Sequence, residues 1–206
     1  GAERRQPGPP SPAGAVPVDL HAADADVAIG CGSQSRNGGP GAPAFLWAHP
    51  RHDERFRQPL SGWMGHAAPF AFVPGYAPAA GVDRFLCGTP PILSMAALEV
   101  GVDVALQAPL AVVREKSLRQ SRMFATLVEQ QLPGDAFEIA SPREDAQRGS
   151  QISLRHAQAW PICQALIARG VIGDFRAPDI LRLGFTPLYV GYTELWDAVS
   201  QLRDVV

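Results

Sequence analysis

The chain has 206 residues and a mass of 22.0 kDa, with 46% hydrophobic and 18% charged residues and a formal net charge of -2. That is too apolar for a disordered chain, and a mean hydropathy of -0.03 without any run near ~18 apolar residues argues against a spanning helix. A pI near 6.2 leaves no basic stripe for a phosphate backbone, so nucleic acid is disfavoured as a partner.

Residues 1–14, with Pro7, Pro9, Pro10 and Pro12, cannot sustain a helix or an inner strand, and a disordered or aberrant segment is expected there. Val27 to Cys31 and Ala44 to Ala48 read as strands flanking a Gly/Ser/Asn/Pro loop. From Pro50 to Thr89 the sequence is rich in Gly, Pro, aromatics and Arg without a period, the signature of a long ordered loop, and such loops tend to carry function. Helical periodicity is expected over Ser94 to Gln107 and Leu110 to Leu132. In the second, Leu110, Val113, Phe124, Leu127 and Val128 share a face broken by a polar gap at Ser117 and Gln120. Pro91 and Pro109 stand where helix starts tolerate proline. Phe137 to Ala140 and Gln151 to His156 read as short strands. A helix follows with Trp160, Cys163, Leu166 and Ile167 on one face and Gly170 as its terminator. Two further strands, Ile172 to Arg176 and Ile180 to Phe185, precede a last helix marked by Leu195, Val199 and Leu202. This tail is α+β with a small antiparallel sheet.

Three cysteines, Cys31, Cys87 and Cys163, without a CxxC, argue against a disulfide framework or thiolate metal site and fit a reducing cytoplasm. No apolar segment follows a basic start, so no signal or anchor is expected. The first methionine is Met64, and a fragment of a longer frame is expected. The only lysine is Lys116, between Glu115 and Ser117 in a charged stretch with Arg114 and Arg119, so it is expected on a solvated helix face.

Generic chemistry is sparse. His49-x-x-His52 has a metal-like spacing, but Pro50 blocks a helix and no third ligand is near, so loop histidines are the better reading. The run NGGPGAP at 37–43 lacks the lysine of a P-loop, and neither G-x-S-x-G nor H-E-x-x-H occurs. Trp63 has an indole N–H suited to an anion, or else simply packs under a loop. Thr89 presents a hydroxyl just before a helix, or else caps it. Arg182, in an apolar strand, needs an anionic partner: a ligand or one of the chain's own acids.

Five stretches taken together resemble kynureninase: AGAVPVDLHAADADVAIGCG at 13–32, NGGPGAPAFLWAHPRH at 37–52, QPLSGWMGHAAPFAF at 58–72, RFLCGTPPILSMAALE at 84–99 and RGVIGDFRAPDILRLGFTPLY at 169–189. The resemblance covers residues 13 to 206 and corresponds to the C-terminal half of that family. It implies a pyridoxal-phosphate enzyme of the aspartate-aminotransferase fold: an α/β remnant of the large cofactor-binding domain over 15–107, then a small α+β domain with a short antiparallel sheet over 108–206. The implied reaction is hydrolytic Cβ–Cγ cleavage of L-kynurenine to anthranilate and L-alanine by a cytoplasmic homodimer. The resemblance implies that Trp63 and Thr89 hold the cofactor phosphate and that Arg182 binds the substrate carboxylate; no metal is implied.

The departures fall on the chemistry. The family's cofactor-attaching lysine is matched by Gln34 and a preceding tyrosine by Ser33; an aspartate that pairs with the pyridine nitrogen and a nearby histidine are matched by Gly8 and Ser11. A carboxamide can neither form an imine nor shuttle a proton, and Ser33 lacks the phenol. The chain as it stands is therefore expected to be inactive, by gene decay or local sequence error rather than as a purposeful pseudoenzyme. A competing expectation is a non-catalytic module that pairs with an intact kynureninase subunit.

Overall fold

The structure, a computed structural model, describes residues 14–134 and 136–206. Gly8, Ser11 and nearly all of the proline-rich start lie outside the described residues. The chain divides into two units, one built on Val18–Gln107 with Gly14, the other on Ala108–Val206 with Ala15–Pro17.

In the first unit, β1 (Val27–Cys31) pairs antiparallel with β2 (Ala44–Ala48), placing Ile29 opposite Leu46. The connecting loop is laced by its own backbone: Gly32 N–H donates to Pro43 O and Gly38 N–H to Gly32 O, both at 3.0 Å. Asn37 and Gly39 take positive φ (57° and 71°), which lets the chain double back this tightly. The long loop is punctuated by three 3-10 turns, Pro50–His52, Trp63–Gly65 and Gly81–Phe85. Helix α1 (Ile92–Leu106) begins two residues before the expected Ser94, directly behind Pro91 at its N-cap. Its only buried residue is Gly101, where a Cβ would stand 2.6 Å from the Arg36 carbonyl oxygen, so the β1–β2 loop rests on the helix backbone itself.

The second unit is a four-stranded antiparallel sheet with three helices. The strands β3 (Glu138–Ile139), β4 (Gln151–Arg155), β5 (Asp174–Arg176) and β6 (Ile180–Gly184) take the order β3-β4-β6-β5. Helices α2 (Leu110–Gln131), α3 (Ala159–Ala168) and α4 (Tyr192–Val205) cover it. Period-2 alternation buries Ile152 and Leu154 of β4 and Leu181 and Leu183 of β6 against Phe124, Leu127 and Val128 of α2 and Leu195, Val199 and Leu202 of α4. All the buried hydrophobic residues of the described chain belong to this unit.

Three expectations change here. The polar gap of α2 is buried: Ser117 donates to Ser150 Oγ (2.7 Å), Ser121 to Ser117 O (2.8 Å), and Gln120 Nε2 to Val190 O (2.7 Å). For these three donors, hydrogen bonds to the chain's own atoms replace water. Lys116 is half-buried rather than solvated, its Nζ 2.5 Å from Pro187 O, because α2 is flanked by the segment that follows β6. In α3 Cys163 and Leu166 are buried as expected, but Ala159 and Ile162 join them where Trp160 and Ile167 were expected, and those two are exposed. Trp160 instead meets Phe175 edge-on at 5.4 Å.

Candidate functional site

Trp63 opens the 3-10 turn Trp63–Gly65, and its ring, 44% exposed, meets Phe70 edge-on at 5.5 Å. It lines a shallow cavity of about 240 Å³ with His66, Phe72 and Tyr76, so it does not simply pack under a loop. Thr89 is exposed and lies three residues ahead of α1; the helix is capped by Pro91, and the capping role is not taken. The structure brings the two segments together. Met64 N–H donates to Cys87 O at 3.0 Å, Gly62 abuts the Cys87 backbone so closely that a side chain could not fit, and Gln58 Nε2 donates to Phe85 O at 3.0 Å. Glycine at position 62 is thus what lets the tryptophan turn lie on the strand of chain leading to Thr89.

Gln34 is exposed on the β1–β2 loop, and its carbonyl accepts from Asn37 N–H at 2.9 Å. The loop is a defined turn, held by α1 through Gly101, and a side chain at position 34 projects from an ordered backbone. Ser33, half-buried, hydrogen-bonds the exposed Cys31 and lowers that thiol's pKa by favouring the thiolate. It serves the cysteine and offers no phenol.

Arg182 stands on β6 in the second unit, directly across from Asp174 on β5. Its Nε lies 3.1 Å from Asp174 Oδ2 and its Nη2 engages the same oxygen, while Arg176 Nη2 lies 3.1 Å from that oxygen too. Arg182, then Arg176, holds the Asp174 carboxyl below its ordinary pKa. Of the two readings open for Arg182, the pairing with an acid of its own chain is the one present. The side chain is 31% exposed, which leaves the guanidinium within reach of a second anion.

His49 and His52 are each engaged by neighbouring groups. His49 Nδ1 accepts from Arg51 N–H (3.1 Å), and His52 Nε2 lies 2.6 Å from Asp26 Oδ1. Arg51 bridges Asp24 and Asp26, and the His52 hydrogen bond, then Arg51, bring the Asp26 pKa down to about 2. No group of three ligand-type side chains with metal-binding geometry occurs among the described residues. Sequence reasoning missed this network because Asp24 and Asp26 lie 25 or more positions from Arg51.

The described architecture matches cysteine desulfurase from Thermococcus onnurineus NA1 with a TM-score of 0.80 over 96% of this chain and 51% of that one, at 15% identity. The C-DES lyase, solved with glycine covalently linked to its PLP cofactor, matches at TM-score 0.76 over 93% and 49% of the two chains, at 16% identity. The fold is of the aminotransferase type.

Residues 113–202 match the kynureninase C-terminal domain. The chain is 53% identical over 194 residues to kynureninase of Burkholderia pseudomallei strain K96243 and 51% identical to that of Pseudomonas fluorescens. Each match takes in 94% of this chain and 47% of the relative, so the chain spans about half the length of the curated relatives it matches. The resemblance is to kynureninase, over its C-terminal half.

The residues present do not fit covalently attached pyridoxal phosphate. Position 34 carries a carboxamide, and the only amine of a lysine, Lys116 Nζ, is donated to Pro187 O. The indole N–H of Trp63 and the hydroxyl of Thr89 remain suited to a phosphate, both being accessible and carried on segments held together.

Proposed function

We propose that the reaction to which this chain is related is hydrolytic Cβ–Cγ cleavage of L-kynurenine to anthranilate and L-alanine, in a cytoplasmic homodimer, and that the 206-residue chain itself does not turn over. Identity of 53% to kynureninase over 94% of the chain supports the first part, and Gln34 at the position of the attaching lysine carries the second. In this reading Trp63 and Thr89 supply donors to a phosphate. Arg182 binds a substrate carboxylate while keeping its contact to Asp174. Gln34 holds no proton that it can give or take at neutral pH. The test is anthranilate fluorescence from the purified chain with added pyridoxal phosphate and L-kynurenine. No signal above the protein-free control is expected; sustained turnover overturns the proposal that Gln34 is disabling.

A further inference from the structure

On the polar face of the second unit's sheet, the contact between Asp174 and Arg182 uses only part of the guanidinium. Alternation along β4 and β6 turns Ile152, Leu154, Leu181 and Leu183 into the core, and so sets Ser153 and Arg182 on the opposite face. Asp174 of β5 joins them there, because the register aligns Ser153, Arg182 and Asp174 in one row across three neighbouring strands. Directly paired residues of antiparallel strands lie side by side, so Arg182 has a carboxylate on one flank and a small hydroxyl on the other.

The contact is one-sided. Arg182 gives its Nε, at 3.1 Å, and its Nη2 to a single oxygen of Asp174, Oδ2. Its Nη1 donates to no atom of the described residues. A guanidinium can offer a carboxylate either its Nε/Nη2 side or its Nη1/Nη2 end. Asp174 takes the side and leaves the end. Beside it the face is bare: Gly184 lies two positions along β6, and a Cβ there would meet nothing nearer than Ser150 O at 4.0 Å. Arg176 Nη2 lies 3.1 Å from the same Asp174 oxygen, so one carboxylate answers two guanidiniums and the three groups keep a positive charge for an incoming anion. An arginine without such a partner has several free torsions, and ordering them weakens binding.

We propose that Asp174 is the positioning residue of the Arg182 site: by holding the Nε side it fixes the guanidinium with its Nη1/Nη2 end presented to a ligand carboxylate. This rests on the reading of Arg182 as the carboxylate-binding residue and extends it to the residue that presents it. Asp174 acts through Arg182 and touches no ligand itself.

The experiment titrates L-alanine into the 206-residue chain and follows the Arg182 Nε–H resonance by nitrogen-15 NMR, assigned by its loss in Arg182→Lys. L-Alaninol, which lacks the carboxylate, is the control ligand. Asp174→Asn and Asp174→Ala remove the same charge and differ in whether an oxygen remains to accept from Nε–H. In Asp174→Asn the resonance should stay slow to exchange with water, and alanine should bind at least as tightly as it does to the parent. In Asp174→Ala the resonance should exchange rapidly, and alanine should bind at least roughly fivefold more weakly than to Asp174→Asn, because ordering the side chain then falls on the binding step. Asp174→Val, whose side chain suits a strand, repeats the comparison, and near-ultraviolet circular dichroism of Trp160, which meets Phe175 of β5, reports that each variant is folded. Glu115→Ala, which takes an exposed partner from Arg119 on α2, should change neither readout. Equal alanine binding by the Asn variant and by the Ala and Val variants overturns the proposal and leaves the contact a plain ion pair. Tighter binding by the Ala and Val variants overturns it as well, making Asp174 a competitor for Arg182. If alanine leaves the parent resonance unmoved, or binds Arg182→Lys as well as the parent, the reading of Arg182 itself fails and the role of Asp174 falls with it.

Discussion

At the scale of single residues, chemistry proved more legible than pairing. That positions 34 and 33 offer neither an amine nor a phenol could be read from side-chain identity, because an amide is an amide wherever it sits. The partner of Arg182 could not, because a guanidinium in a strand demands an anion without saying which, and Asp174 becomes its neighbour only through the β5–β6 register. The same is true of Asp26, whose partners Arg51 and His52 reach it across the β1–β2 hairpin. Its carboxyl should titrate near pH 2 rather than at the ordinary 3.8. Because the folded-state value is the lower one, the network contributes to stability above pH ~4, and that contribution is lost as pH falls through about 2. Carboxyl NMR titration checks this, with His52→Ala and Arg51→Ala each raising the midpoint; a midpoint near 3.8 in the parent would mean that the pairs do not persist in water. Lys116 offers a second check. With its amine given to Pro187 O and its side chain half-buried, borohydride reduction in micromolar pyridoxal phosphate should leave it without stoichiometric label. Peptide mass mapping that finds Lys116 fully labelled would show that this hydrogen bond does not hold the amine.

At the scale of elements, periodicity placed β1 and β2 to the residue and every helix within a few positions, since alternation and 3.6-residue spacing are local properties. It failed where tertiary contact decides. Ser117, Gln120 and Ser121 look like an interruption in the apolar face of α2, yet Ser117 and Gln120 tie α2 to Ser150 and the Val190 carbonyl while Ser121 donates back to Ser117 O within the helix. In α3 Cys163 and Leu166 lie in the buried stripe as expected, but Trp160 and Ile167 do not, because each sits one residue beyond a buried neighbour, Ala159 and Leu166, and is as apolar as it is. Leu166 is fully buried beneath the sheet whereas Ile167 is 41% exposed. Leu166→Ala should therefore cost about 2–5 kcal/mol, while Ile167→Ala should cost less than about 1 kcal/mol. Urea denaturation of the two variants distinguishes the faces; equal losses would place Ile167 in the core after all.

At the scale of the whole molecule, composition promised a core without saying where it would lie. The 46% of hydrophobic residues is spread along the chain, but burial is concentrated in the unit built on Ala108–Val206, where an antiparallel sheet and three helices close over Phe124, Leu154, Leu181 and Leu202. The sequence does not reveal this asymmetry, because α1 is as apolar as any core helix, yet among the described residues only the β1–β2 loop packs on it and Gly101 alone is buried. The consequence is testable on each unit alone. A piece comprising 108–206 holds all the buried hydrophobic residues described and is about the size at which a single core suffices, so it should unfold in one cooperative transition with a stability within the ~5–15 kcal/mol common for domains. Trp160 and Trp196 report on it by near-ultraviolet circular dichroism and fluorescence. The piece comprising 1–107, followed through Trp47 and Trp63, should show a broad, non-cooperative change, since its helix and two strands bury too little apolar surface to offset the ordering of their backbone. A sharp transition in 1–107, or none in 108–206, would overturn this division of stability.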